Sequence, residues 1–540
     1  MARKSRVSQR WDVSAYAPTE DVLPRPIPIG GLAGMDTQSP LPSMDPAKSR
    51  LVKNLTIRYG AYKTRDGTDT VGTIAGSELL MATDVLLPDG KYYLVRWRVD
   101  GVDVLINNVW TPAGGDAWAG SKLSPFALTG WVDRLLFTAG MGKKIFELTF
   151  DPPMLAEIPD SPTGIIHLAT FNGRVMASGG ATGEVAWTVK NDHTDWTGLG
   201  SGFEDLRSAP GGRPDSQTAI VPISDELAYC IRSQSIWQVG NTGDFDAPFA
   251  FTRLFTYVGS RWPQTVVATA QGVICMGDTG QVWYIHSGGY EDIATDIHDI
   301  TTNMEQGFKR LAMGAFDLKR NEYRLTRPDI NSLTAQVVLR YSISNKAWTE
   351  DVYPFPIRSI SYTQFVKKLS VDELTGSVNA LVGTVDDLGV GVRNPGAVYT
   401  MPDDARWVVR DDSLKNSLAL RDVNFAGARV ASGFRIESGD VKVGDPIKRQ
   451  EFVELLCWYE AEEDVTLSFD YSYDGGQVWA LASQLIAPAT NGRPRAVKVQ
   501  RTADRAHLQF AVSSEATPDV KLISFQAVMR EGARTVDTSP

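Results

Sequence analysis

Cysteine is scarce in this chain: Cys230, Cys275 and Cys457 are far apart, sit in apolar runs, and form neither a CxxC pair nor a disulfide framework. They read as buried thiols of a protein assembled in a reducing compartment. Histidine is also sparse. His167, His193, His286, His298 and His507 show no HxxxH, HxH or Cys-His spacing, so no metal site and no metal cofactor is expected. Positive charge is in deficit, with 54 Lys plus Arg against 64 Asp plus Glu and a net charge of −10. Such a balance disfavours non-specific binding to DNA phosphates by the chain as a whole. No apolar stretch approaches 18 residues, and the N-terminus MARKSRVSQRW has no apolar core. The expectation is a chain that is neither exported by a signal peptide nor membrane-spanning.

What is present is ordinary for a globular protein, at 43% hydrophobic and 22% charged residues, with 48 Gly and 29 Pro that favour turns over long helices. At ~150 residues per domain the length allows three to four domains, or one large repeat architecture with attachments. Residues 1–50 carry Pro18, Pro24, Pro26, Pro28, Pro40, Pro42 and Pro46, which predict an extended arm. Its first ten residues hold Arg3, Lys4, Arg6 and Arg10 and no acid. Two readings fit them: a solvated tail, or an arm that docks on an acidic neighbouring subunit.

From residue 51 to 414 the pattern is short apolar runs separated by Gly, Asn and Asp. DRLLFTAGMGKKIFEL from Asp133, NGRVMASGGATGEVAW from Asn172, DELAYCIRSQSIWQV from Asp225 and QGVICMGDTGQVWYI from Gln271 share one plan, a turn, an apolar strand, a second turn and an aromatic-bearing strand. Their starts lie 39, 53 and 46 residues apart. This spacing of hairpin units predicts an all-β chain with a β-propeller of about six blades. Phe146, Trp187, Trp237 and Trp283 fall at equivalent places, and Trp348 is expected to play the same part in a further unit. One helix is predicted over Thr301–Met313, capped by Thr301. Residues 415–540 show sharper alternation, with Val465, Leu467, Phe469, Tyr471 and Tyr473 on one face and Leu508, Phe510 and Val512 inward in a second strand, which predicts a β-sandwich-like domain.

Motifs for chemistry are few. Gly115–Lys122 (GDAWAGSK) resembles a phosphate loop only superficially, because Ser and Lys stand in the wrong order. Asp244 and Asp246 lack further spaced oxygen ligands for Ca²⁺. No GxSxG or HExxH occurs. The most specific local motif is Ser472, Asp474, Gly476 and Trp479, an S-x-D-x-G-x-x-W Asp-box, in which Ser and Asp bind turn amides, Gly takes positive φ and Trp packs beneath. Asp-boxes recur in sialidase propellers, but the partial copy Asp278–Trp283 inside the repeat region has Met276 in place of Ser, and no arginine constellation for a sialic carboxylate is evident.

Several stretches, in order, resemble the tail nozzle (hub, or tail stabilisation) proteins of short-tailed, podovirus-type bacteriophages. They are MDPAKSRLVKNLTIRYGAYKTRDGT from Met44, FNGRVMASGG to DHTDW from Phe171, QSIWQVG from Gln234, VGSRWPQTVV with GVICMGDTGQVWYI from Val258, and DLKRNEYRLTRPD with RYSISNKAW from Asp317. The resemblance implies a non-enzymatic structural subunit of the virion tail, without cofactor, assembled in the host cytoplasm. It implies a ring, commonly of six copies, below the head-to-tail adaptor, which extends the DNA ejection channel and meets tail fibres or tailspikes and a tail needle or plug. Viral DNA would pass without specific binding, and an acidic wall would repel its phosphates. The competing class is a receptor-binding or glycan-cleaving, sialidase-like tail protein. Six-fold against three-fold assembly separates the two.

Overall fold

The computed structural model describes residues 25–28, 33–363, 396–411 and 433–531, apart from short breaks within loops. Arg3, Lys4, Arg6 and Arg10 lie outside the described residues, as does His507. Most of the chain is strand. Turn chemistry sets the hairpins: Asn172 and Gly173 both take positive φ (50° and 69°) between Ile165–Phe171 and Arg174–Gly179, the backbone that a two-residue hairpin turn demands.

These hairpins build a β-propeller. Blade one consists of Leu79–Leu86, Tyr92–Arg98, Val102–Ile106 and Val109–Pro112, paired in sequence order and antiparallel. Five further antiparallel meanders begin with Ala127–Trp131, Ile165–Phe171, Gln217–Pro222, Val267–Ala268 and Gly314–Asp317. A last sheet contains Ser359–Thr363, Gly396–Thr400 and Val408–Asp411, and its fourth strand is Thr68–Thr70, from before blade one. The count is therefore seven blades where the repeat phrases predict about six. The four clear phrases are the second and third strands of blades two to five, and the last blade was harder to see because its outer strand comes from elsewhere in the chain.

The innermost strands follow one another around an axis, and Ser359–Thr363 returns to Leu79–Leu86. Two contacts hold this closure: the Arg358 guanidinium lies 2.6 Å from Glu78, and the Ser361 hydroxyl donates to the Ala82 carbonyl at 2.7 Å. Between blades, large side chains interdigitate. Trp97, Trp118, Phe137 and Phe146 meet edge-to-face or stacked between blades one and two.

Blade six joins the propeller to a β-sandwich. Its outer strand, Ala347–Ile357, pairs in parallel with Ser49–Lys53 through Lys53 and Glu350. Ser49–Lys53 then pairs with Phe434–Ser438, and the sheet runs on through Gln509–Ser514 and Val465–Ser472 to Ala480–Ala487. The facing sheet is Leu55–Arg58, Ala61–Thr64, Val520–Glu531, Gln450–Ala461 and Arg495–Arg505, with Arg25–Pro28 also paired to Val520–Glu531. Leu455, Cys457 and Tyr459 from one sheet and Leu467, Phe469, Phe510 and Val512 from the other belong to a core that also takes in Tyr323, Leu325 and Trp348 of blade six. The chain thus alternates between units. Ser49–Thr64 lies in the sandwich although it precedes the propeller, and part of the Pro-rich segment is a strand of that sandwich.

Three local expectations need correction. The helix expected over Thr301–Met313 is not continuous: His298–Thr302 is helical, with Thr301 buried inside it and its hydroxyl donating to the Ile297 and His298 carbonyls, Asn303 and Met304 lie in a bend, residues 305–308 lie outside the described residues, and Lys309 is again helical. Trp348 sits on the fourth strand of its blade, whereas Phe146, Trp187, Trp237 and Trp283 sit on third strands. The alternation from Val465 holds through Tyr471, which packs against the core, and ends at the Asp-box turn, where Ser472 is buried and Tyr473 is 52% exposed; the bulge opposite Phe469 and Asp470 has its extra residue, Ala482, on the partner strand.

Candidate functional site

Groups capable of chemistry are mostly consumed inside the blades. Arg96 lies 2.7 Å from Asp103 in blade one, Arg232 lies 3.3 Å from Asp215 in blade four, and in blade six Arg340 pairs with Asp351 and approaches Glu322 at 3.7 Å. All of these side chains are buried. Burial alone would lower the Arg340 pKa, but Asp351 and Glu322 outweigh it and hold the guanidinium firmly charged. Burial likewise opposes ionisation of Glu147, yet His193 at 2.7 Å and Arg134 at 3.0 Å outweigh it and keep its pKa below the usual carboxylate value. In blade four the Ser233 and Ser235 hydroxyls also donate to Asp215, so the buried carboxylate is bound by two hydroxyls as well as by Arg232.

The other sequence candidates resolve into local devices. In the Asp-box, the Ser472 hydroxyl donates to Asp474 at 2.7 Å and accepts from the Gly476 amide at 3.1 Å, while the Val478 amide donates to Asp474 at 2.9 Å. These bonds hold the Asp474 pKa below its ordinary value. Gly476 has φ 82°, and the Arg435 guanidinium stacks 4.9 Å over the Trp479 ring. The motif closes the hairpin between Val465–Ser472 and Ala480–Ala487 in the sandwich, away from the propeller axis. Within Gly115–Lys122, of which Lys122 lies outside the described residues, Asp116 accepts the Glu157 amide and the buried Trp118 ring donates to the Arg98 carbonyl. Asp244 accepts the Asp246 amide, an ordinary turn contact. Cys230, Cys275 and Cys457 are free and buried, and burial pushes each thiol up to about 12. Among the described residues, no cluster of three or more His, Cys, Asp or Glu could hold a metal ion, and no helix is long and apolar enough to cross a membrane.

Among the described residues, a cavity of about 450 Å³ lies on the propeller axis, lined by innermost strands and the segments that lead into them. Blade three contributes His167, whose Nδ1 accepts the Ile220 amide of blade four at 3.4 Å. The ring edges the cavity half-buried among the innermost strands, and this desolvation pushes its pKa down to about 4. Spacing gave no hint of this placement, because position on an innermost strand follows from ring closure.

The sign of the His167 effect is definite. The unfolded ring takes up a proton near its ordinary value of about 6.5, while the folded ring resists until about 4. Its contribution to stability is intact above about pH 6.5 and is lost as pH falls towards 4, to a limit of about 3 kcal/mol. His167→Phe is therefore expected to lose less stability than the parent between pH 7 and pH 4, measured by urea denaturation at each pH. Equal losses in the two proteins would contradict the assignment.

No family model matches the chain, and no curated protein matches it. Among solved structures it is similar to the β-propeller domain of Myceliophteria thermophila Cps50 (Swd1), at 9% identity over 64% of this chain and 100% of that one, with a TM-score of 0.40. It is also similar to BBS1N, solved in complex with ARL6DN, at 11% identity over 67% of this chain and 99% of that one, with a TM-score of 0.34. Likeness at this level carries no functional argument. The strand pairing itself makes the molecule a seven-bladed β-propeller joined to a β-sandwich.

Proposed function

We propose that this chain is a non-enzymatic structural subunit of a bacteriophage tail, a nozzle-type protein that forms a ring of six copies below the head-to-tail adaptor. The observation that carries the reading is mechanical. The propeller is closed by a strand from the N-terminal side, and blade six is continuous with the sandwich sheet, so the two units form one block with a shared core. A block of this kind tiles a ring and presents only short blade edges to its neighbours. The collinear sequence resemblance supports the same assignment.

A 450 Å³ axial cavity is the size of a small-molecule site and does not pass a DNA duplex. The conduit in this reading is the space enclosed by neighbouring copies. With a net charge of −10, walls of like sign to DNA would let it slide. The test is imaging of the purified chain at high concentration, alone and on adaptor rings. Six-fold rings with a net negative bore are expected. Three-fold spikes, a continuous Lys/Arg-lined bore, or release of reducing ends from host polysaccharide that one carboxylate substitution abolishes would each count against the reading.

A further inference from the structure

The axial cavity has its own chemistry, independent of ring assembly. Met81, Leu128, Val267, Met313, Phe316 and Ile360, from blades one, two, five, six and seven, make its wall largely apolar. No charged side chain contributes to the lining among the described residues. The lining also includes Gln264, Thr269, Ser361 and Tyr362; of these, Ser361 donates to the Ala82 carbonyl at 2.7 Å and Thr269 to the Gly272 carbonyl at 3.2 Å. His167 differs from them. A neutral imidazole that accepts the Ile220 amide at Nδ1 carries its proton on Nε2, so Nε2 is the donor left for an occupant.

A concave, mostly apolar space with a few polar groups on its wall, one of them an oriented imidazole, is the usual form of a small-molecule site. We propose that the axial cavity binds a small, uncharged, largely apolar molecule whose carbonyl or ether oxygen accepts a hydrogen bond from Nε2 of His167. A carboxylate or phosphate ligand is disfavoured, because an anion would lose its hydration with no cation on the wall to replace it.

The probe is 6-propionyl-2-(dimethylamino)naphthalene, an uncharged ketone whose emission shifts to the blue in apolar surroundings, titrated into the full chain at pH 7. Saturable one-to-one binding with blue-shifted emission is expected. His167→Phe keeps an apolar ring and removes the donor, and should weaken binding about tenfold, the worth of one hydrogen bond. Met81→Trp fills the cavity from a half-buried position and should abolish the signal. Both variants are compared with the parent by thermal melting, so that a folding defect is not read as lost affinity. Absence of saturable binding to the parent would overturn the proposal. Binding that survives Met81→Trp would also overturn it, by placing the probe elsewhere, and binding undiminished by His167→Phe would remove the hydrogen bond from it.

Discussion

Replacement of Arg340 by methionine is expected to destabilise the protein by about 3–5 kcal/mol, the range found when one partner is removed from a buried ion network. Arg340 lies in the third strand of blade six, with its side chain buried between Asp351 on the fourth strand and Glu322 on the second. Arg324 and Asp317 form an adjoining pair at 3.7 Å, so the blade holds a compact group of fully buried charges. Methionine fills much of the volume but leaves two carboxylates without their cation, and that uncompensated charge supplies the cost. Arg340→Lys keeps the charge and loses the planar fork that reaches two carboxylates from one side chain, so it should recover only part of the loss. Chemical denaturation followed by tryptophan fluorescence measures both. An Arg340→Met change below about 1 kcal/mol would mean that water already reaches the group.

The second large effect is expected at Trp348, where substitution by alanine should cost about 3–5 kcal/mol. The ring is 1% exposed, packs on Tyr341 at a centroid distance of 5.0 Å, and donates from Nε1 to the Ile293 carbonyl of blade five at 2.6 Å. Its backbone carbonyl accepts the Met35 amide at 2.9 Å. Gly34 crosses this strand with φ 81°, and a Cβ there would lie 2.7 Å from Ala347 Cβ and 2.8 Å from the Trp348 carbonyl oxygen. Trp348 therefore ties blades five and six to the segment that leads into the sandwich. Trp348→Ala should show, beyond the lower stability, faster proteolysis near Gly34. Trp348→Phe keeps most of the packing but strips the Ile293 carbonyl of its donor, for an expected cost of about 1–3 kcal/mol. Equal resistance to protease in parent and Trp348→Ala would show that the segment holds without the ring.

Much of the propeller was legible because its blades are local. Each hairpin carries its own alternation and turn residues, as in Asn172–Gly173, and the paired strands lie within a few dozen residues of each other. The strands Val465–Ser472 and Gln509–Ser514 were legible for the same reason as far as Tyr471, beyond which the Asp-box turn takes Tyr473 out of the pattern. The seventh blade was not, because Thr68–Thr70 is three residues without an apolar pattern, and its partner Val408–Asp411 is far along the chain.

By itself the sequence determined the all-β class, the hairpin modules with their approximate repeat, the buried free thiols and the bonding of the Asp-box turn. These depend on composition and on contacts between near neighbours. The tertiary structure alone decided the seven-fold closure, the membership of Ser49–Thr64 in the sandwich, the burial of Arg340 among acids and the place of His167 on the axial cavity. Each of those depends on segments brought together from distant parts of the chain, a pairing that a ring imposes only when its last strand meets its first.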